Sequence, residues 1–489
     1  MSTGRILVVD VGTSSVRSGI VRGDATVDSV VQVPVLPSSP EPGQVEFDGL
    51  AIRDAVLQTA TSALATGPVD GVGIANQRAT SIIWDARTGE PIGPAIGWQD
   101  LRTVINCLLL QAEGLRLAPN VSATKAQWLL DTFDPERRGG EHLRFGTMDT
   151  WITWILSEGA LHVTDATNAA VTGLVDSSAG AWDARTLEVL GLPETMMPRI
   201  VDSSGPLGTA SALAGDPLIC GIAGDQQASL IGQGCVAPGQ AKITFGTGGM
   251  LDMVVGPEAP DSAQRSAAGT FPIIARQREG AATWGLEAIM LSAGSCIEWL
   301  RDDLGILGTA EESAALAASV PTTDGVVFVP ALLGLGTPSW DFGARGLLLG
   351  ITRGTGRAEI TRAVLEGIAQ RGLDLVEAAE ADGGVRLDTI RVDGGMTAND
   401  TFLEILAETL GRPVEVSPVL EATTLGAGYL AGLSTGIWGD EDDVASSWAP
   451  RRTLVPTSSD VDRSMARERF LEARRRSERT IPDLSGVEF

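Results

Sequence analysis

The stretch VVDVGTSSVRSG, residues 8–19, is a β-branched apolar run that stops in a small, hydroxyl-rich glycine turn. The same design returns in the other half of the chain as AKITFGTGGMLDM, residues 241–253. In each, a strand feeds a turn whose backbone N–H groups and Ser/Thr hydroxyls can approach an anion closely. An ordinary glycine hairpin would account for either turn alone. Two such turns facing one another could grip a single polyphosphate. Asp10 closes the first strand beside its turn, where phosphate would repel a carboxylate unless a cation stood between them. It therefore reads as a partner of Mg2+, and the two turns read as a nucleoside triphosphate site.

At 489 residues the chain is long enough for two or three domains. Aromatic residues are few, and the dominance of Ala, Val, Leu and Gly suits an α/β protein. A net charge of −26 argues against a sequence-independent grip on nucleic acid or on an anionic membrane. Cys107, Cys220, Cys235 and Cys296 are scattered without a CxxC pair, and the first residues run straight into a strand. A cytoplasmic chain with free thiols is expected. His142 and His162 are the only histidines, which excludes a multi-histidine metal site, and both read as surface or packing residues. Lys125 and Lys242, the only lysines, precede Ala126 and Ile243, so no GxxxxGK[ST] phosphate loop exists. Neither histidine opens an HRD catalytic loop.

Residues 5–35 read as an antiparallel meander and residues 50–65 as a helix with Ile52, Val56, Ala60 and Ala63 at helical spacing. Short strands follow at 72–75 and 81–84, helices at 125–131 and 147–157, and a glycine-rich strand at 218–224. Pro238-Gly239 breaks the chain before the second turn and suggests domains at 1–237 and 238–445. A helix is expected over 359–381, with Ile360, Val364 and Ile368 on one face and Glu366 and Asp374 away from it. The remaining 446–489 reads as a helical tail, its Arg-rich part at 463–479 solvated because glutamates are interspersed.

Three stretches are more specific: NQRATSIIWDARTGEPIGPAIGWQDLRT (76–103), GIAGDQQASLIGQG (221–234) and TPSWDFGARGLLLGITRG (337–354) with the helix start at 359–366. Together they resemble the FGGY carbohydrate kinases, and within that family the glycerol kinases, over residues 6–436. The resemblance implies two actin-like α/β domains of the ASKHA, ribonuclease H-like type, with ATP and Mg2+ in the cleft between them. It also implies phosphoryl transfer to a small polyol or sugar, and a homodimer or homotetramer. Asp225 resembles the family's base, although a helix N-cap would also place an aspartate there, and Gln226 beside it can fix a substrate hydroxyl. Thr13, Ser14, Ser15 and Arg17 resemble the first phosphate grip and Thr247 the second, with a solvated strand charge as the alternative for Arg17. In IRVDGGMTAND (390–400), Gly395 would admit the nucleoside and Asn399 supply an amide. Gly294 matches a nucleotide-contact position, whereas Glu298 stands where glycerol kinases carry Gln and reads equally as a surface glutamate.

Arg78, Trp98, Asp225 and Gln226 agree with the glycerol pocket of that family, but Ala79 replaces its Glu, Asn120 its Tyr and Met250 its Phe. Each change removes bulk or a hydroxyl-accepting group, and an unpaired buried hydroxyl costs about 1–3 kcal/mol. A longer acceptor is therefore expected, such as a tetritol, pentitol or ketose, with a relaxed glycerol kinase as the alternative. The stretch TASALAGDPL (209–218) lacks the Gly-rich, Arg-bearing loop that resembles a fructose bisphosphate site. From a different class, a non-catalytic actin-like nucleotide sensor could share the fold, but would have no use for Asp225 and Trp98 in a polyol-shaped pocket.

Overall fold

The computed structural model describes residues 4–260, 265–419 and 421–487. Around the first glycine turn the meander forms as β1 (Arg5–Val11), β2 (Ser15–Arg22) and β3 (Val27–Pro34), each antiparallel to the next. With β4 (Gly71–Asn76), β5 (Ser204–Thr209) and β6 (Leu218–Gly224) they make the order β3-β2-β1-β4-β6-β5. The second half contributes β7 (Ala241–Phe245), β8 (Gly249–Gly256), β9 (Phe271–Arg278), β10 (Ala281–Met290), β11 (Ile390–Asp393), β12 (Val414–Val416) and β13 (Arg452–Leu454). Their order is β9-β10-β8-β7-β11-β12-β13.

The two halves repeat one design. In β3-β2-β1-β4-β6, three antiparallel strands are extended by two parallel ones, and β10-β8-β7-β11-β12 does the same. The two glycine turns hold equivalent places, between the first two strands of each unit. The sheets meet edge to edge through one residue pair, Ser204 with Arg278. Burial on both faces explains the composition of the parallel strands: every residue of β4 is buried.

Helix α1 (Gly49–Leu64) starts where the Asp48 carboxylate accepts from the N–H groups of Leu50 and Ala51, and it buries Ile52, Val56, Ala60 and Ala63 as their spacing predicts. The other helices that matter for the site are α2 (Asp225–Gly232), α3 (Arg357–Gly383), α4 (Asp400–Leu410), α5 (Ala422–Thr435) and α6 (Asp460–Ser477). Although α5 is late in the chain, it packs on the first unit, where Leu425, Ala427 and Tyr429 share a core with Ile6, Val8 and Val21. It crosses α2 with backbones in contact: a Cβ at Gly426 would lie 1.7 Å from the Ala228 carbonyl oxygen. Only glycine permits that approach.

The tail departs from the expectation of a solvated helix. It adds β13 to the sheet edge, and α6 buries Phe470 and Ala473 against Val329, Leu335 and Ala344. Asp374, expected to face away from the core, has a side chain 1% exposed and pairs with Arg371, Arg467 and Arg474. The solvated side of α6 is carried instead by Arg475 and Arg476 with Glu472.

His142 is exposed, and His162 packs edge-on against Trp84 and Trp154 with Nε2 2.8 Å from the Phe145 carbonyl oxygen. Burial pushes the His162 imidazole down to about 4, so at neutral pH it is an uncharged donor to that carbonyl. The four cysteines are buried free thiols. Among the described residues no helix is long and apolar enough to cross a membrane.

Candidate active site

Neighbouring parallel strands bring the candidate chemistry together. Val11, Asn76 and Gly224 are aligned in register at the carboxyl ends of β1, β4 and β6. Asp10, Arg78 and Asp225 therefore emerge side by side, where open α/β sheets place their ligands. Asp225 is the first residue of α2, and its Oδ1 accepts from the Gln226 N–H at 2.8 Å. Arg78 reaches it with Nε at 3.5 Å and pairs through Nη2 with Glu287 Oε2 at 2.6 Å. Gly224 keeps this junction open, since a Cβ there would lie 2.6 Å from the Arg78 side chain.

The electrostatics follow from burial. Desolvation raises the Asp225 carboxyl above the usual carboxylate range, and the Arg78 guanidinium and Lys242 ammonium oppose that rise. Asp10 is pushed up to about 7 by desolvation, with Arg17 lowering and Asp225 raising it. Arg17 is paired in register with Asp10 across β1 and β2. A carboxyl so disfavoured as an anion is a place where a cation is welcome.

Around the first turn, Gly12 N–H donates to the Ser15 carbonyl at 3.0 Å, Ser14 is exposed and the Ser15 hydroxyl accepts from Gln32 at 2.8 Å. Trp98 Nε1 approaches the Thr13 hydroxyl at 3.5 Å, joining Trp98 to the first turn. At the second turn Thr247 is exposed, while its carbonyl accepts from the N–H groups of Ala293 and Ser295 at 2.8 and 3.1 Å. Gly294 packs there as well, a Cβ being 2.7 Å from the Gly246 carbonyl.

These paired turns and strand-end carboxylates sit in a chain whose halves both match one family. The model for the N-terminal domain of the FGGY family of carbohydrate kinases covers residues 5–232, and that for the C-terminal domain covers 241–435. The chain belongs to the FGGY family of carbohydrate kinases. It is an ATP-dependent kinase that works with Mg2+. A glycerol kinase of Aromatoleum aromaticum is 43% identical over 96% of this chain and 97% of its own length. One of Halorhodospira halophila is 41% identical over 96% of each. The structure of Plasmodium falciparum glycerol kinase with ADP superposes with a TM-score of 0.90 at 28% identity, covering 97% of this chain and 98% of that one.

In this FGGY kinase the expected nucleoside residues hold mixed positions. Gly395 is exposed with open space around it, and neighbouring Gly394, at φ +91, is the one that contact forces to be glycine: a Cβ would lie 2.5 Å from the Phe245 carbonyl. Asn399 caps α4, accepting from the Phe402 N–H at 2.9 Å and donating to Ser313 at 3.0 Å. One Nδ2 hydrogen remains for other use. Glu298 is exposed on the short helix Gly294–Glu298. Of the residues expected on the acceptor side, Ala79 is buried at φ +57, and its carbonyl accepts from the Ser122 hydroxyl at 3.2 Å. Its methyl group offers a substrate hydroxyl nothing. Asn120 is exposed, its carbonyl taking a 3.0 Å bond from Lys125, and Met250 is half-buried on β8.

Three residues of the kinase escaped the sequence reading: Lys242, Asp252 and Glu287. All are buried, and they line up across β7, β8 and β10 behind Asp225 and Gln226. A signal for two of them was present, because a charge within an otherwise apolar strand demands a partner.

Proposed function

We propose that this kinase transfers the γ-phosphoryl group of ATP to a hydroxyl of a neutral polyol or open-chain sugar longer than glycerol. The observation that carries this reading is the desolvated Asp225–Arg78 pair, beside which Ala79, next to Arg78 in the chain, offers no hydroxyl partner. Asp225 takes the proton from the acceptor hydroxyl as its oxygen bonds to the γ-phosphorus and the bond to ADP breaks. Gln226 and Trp98 orient the acceptor, while Thr13, Ser14, Ser15, Arg17 and Thr247 hold the phosphates. Gly294, Glu298, Gly395 and Asn399 face the nucleoside. Neutrality of the acceptor follows from the charges: Arg78 is committed to Asp225 and Glu287, and the Lys242 ammonium to Asp252, Gln226 and Thr244. Both cations thus already answer buried carboxylates, although Arg78 Nη1 has no hydrogen-bond partner among the described residues.

Glycerol itself is the second reading, favoured by full-length relatives named glycerol kinase at 43% and 41% identity. A coupled ADP-release screen over glycerol, tetritols, pentitols and ketopentoses separates the two. The expected result is a higher kcat/KM for a four- or five-carbon acceptor than for glycerol, and glycerol preferred over every longer acceptor would defeat the enlarged pocket. Ala79→Glu with Asn120→Tyr should shift preference toward glycerol by about tenfold, the scale of one hydroxyl contact.

Asp10 suits Mg2+, which needs one or two carboxylates beside phosphate and water oxygens. Bound there, Mg2+ neutralises charge on the phosphates. Asp10→Ala should raise the Mg2+ requirement and depress kcat, and should weaken ATP binding in the presence of metal but not in its absence. An unaltered Mg2+ titration would reduce Asp10 to a strand end.

A further inference from the structure

Lys242, Asp252 and Glu287 form one buried row, each in register with the next across β7, β8 and β10. Lys242, 0% exposed, places Nζ 2.6 Å from Gln226 Oε1, 2.7 Å from Thr244 Oγ1 and 2.7 Å from Asp252 Oδ2. An ammonium has three donors and no acceptor, so the Gln226 atom that faces it has to be the carbonyl oxygen. That fixes the amide. The Gln226 NH2 group is turned away from Lys242 and has no protein acceptor among the described residues.

We propose that Lys242, kept charged by Asp252, is a positioning residue that fixes the Gln226 carboxamide with its NH2 group toward the acceptor. The position beside the base then reads the neighbouring acceptor hydroxyl as a hydrogen-bond acceptor, while Asp225 reads the reacting hydroxyl as a donor. The proposal rests on the reading that Asp225 and Gln226 face an alcohol.

Asp252 is needed because burial favours the neutral form of an amine. A neutral Lys242 would carry a lone pair able to accept from the amide, and Gln226 could turn over. Besides Asp252, the charged and titratable groups around Lys242 are Asp225 on α2, the Cys235 thiol and Arg391, in register with it on β11, and Glu287 stands one strand beyond. Glu287 pairs instead with Arg78 at 2.6 Å, so Asp252, 2.7 Å from Nζ, is the member of that acidic pair that answers the ammonium.

The test uses the full-length protein with glycerol and erythritol as acceptors, comparing Asp252→Asn, Lys242→Met and the double variant. Each single change should raise the acceptor KM about tenfold, the worth of one hydrogen bond, with kcat little changed. The double variant should be no worse than Lys242→Met alone, because Asp252 acts through Lys242. Discrimination against 1,3-propanediol, which lacks glycerol's middle hydroxyl, should shrink in all three.

Unchanged acceptor KM values or additive effects in the double variant would each overturn the positioning role while leaving the alcohol reading intact. Wild-type inactivity on both alcohols would instead defeat the alcohol reading, and the positioning role with it. If Lys242→Met does not fold, Asp252→Asn, which keeps the side-chain shape, supplies the KM and discrimination readouts alone.

Discussion

Asp225→Asn should lower kcat by about 10²–10⁴-fold, the usual worth of a positioned general base, with ATP and ADP affinity near wild type. The amide keeps the shape of the side chain and its bond from the Gln226 N–H, but cannot take the hydroxyl proton. The pH profile supplies an independent check. Desolvation raises the Asp225 carboxyl, so the acid limb of kcat/KM should lie above the ordinary carboxylate range, activity being lost as falling pH protonates the base. Arg78 is the largest influence opposing that rise, and Arg78→Met should move the limb to still higher pH. Steady-state kinetics by coupled ADP release and nucleotide titration calorimetry measure both. A near-wild-type kcat in Asp225→Asn would remove this residue from the base's role.

What could be read from the chain alone was whatever depends on local pattern. The two glycine turns, the meander around the first and the helix buried through Ile52, Val56, Ala60 and Ala63 all announce themselves by period and turn chemistry. The candidate base was legible through its motif, because a carboxylate after an apolar strand and a glycine emerges at the strand's end. Pairings between distant strands were not. Lys242 and Asp252 lie on either side of the second turn, and hairpin register would have joined them, but nothing near Glu287 in the sequence places it against Asp252. The return of α5 to the first unit is equally invisible, since its Gly426 contact depends on a crossing with α2 almost two hundred residues earlier. Backbone strain was hidden too: Ala79 reads as a lost carboxylate, and only its φ of +57 shows that the position also turns the chain.

Asp374 is the case where helical period misled, and it carries the largest expected stability effect. A carboxylate off the apolar face of α3 reads as solvated, yet α6 covers it and brings Arg467 and Arg474 to Oδ1 at 2.5 and 2.9 Å, with Arg371 on Oδ2. Arg371 is itself 1% exposed and donates to the Thr337 carbonyl at 2.5 Å, so it cannot turn to solvent when its partner is lost. Asp374→Ala should accordingly cost about 3–5 kcal/mol, the range for breaking a buried ion pair from one side. Glu377→Ala offers the contrast: it also meets Arg467, but its side chain is 52% exposed, and its loss should cost less than about 1 kcal/mol. The three arginines hold the Asp374 carboxyl below its ordinary value. A depressed carboxylate contributes stability that is complete above its unfolded pKa and disappears as pH falls through the folded one. The docking of α6 should thus be insensitive to pH from 5 to 9 and fail only in acid, below about pH 4. Hydrogen exchange across residues 460–477 measures the effect directly, because the helix should lose protection in Asp374→Ala before the sheet does. Full protection of that helix in the variant would mean that Phe470 and Ala473 hold it without the ion cluster.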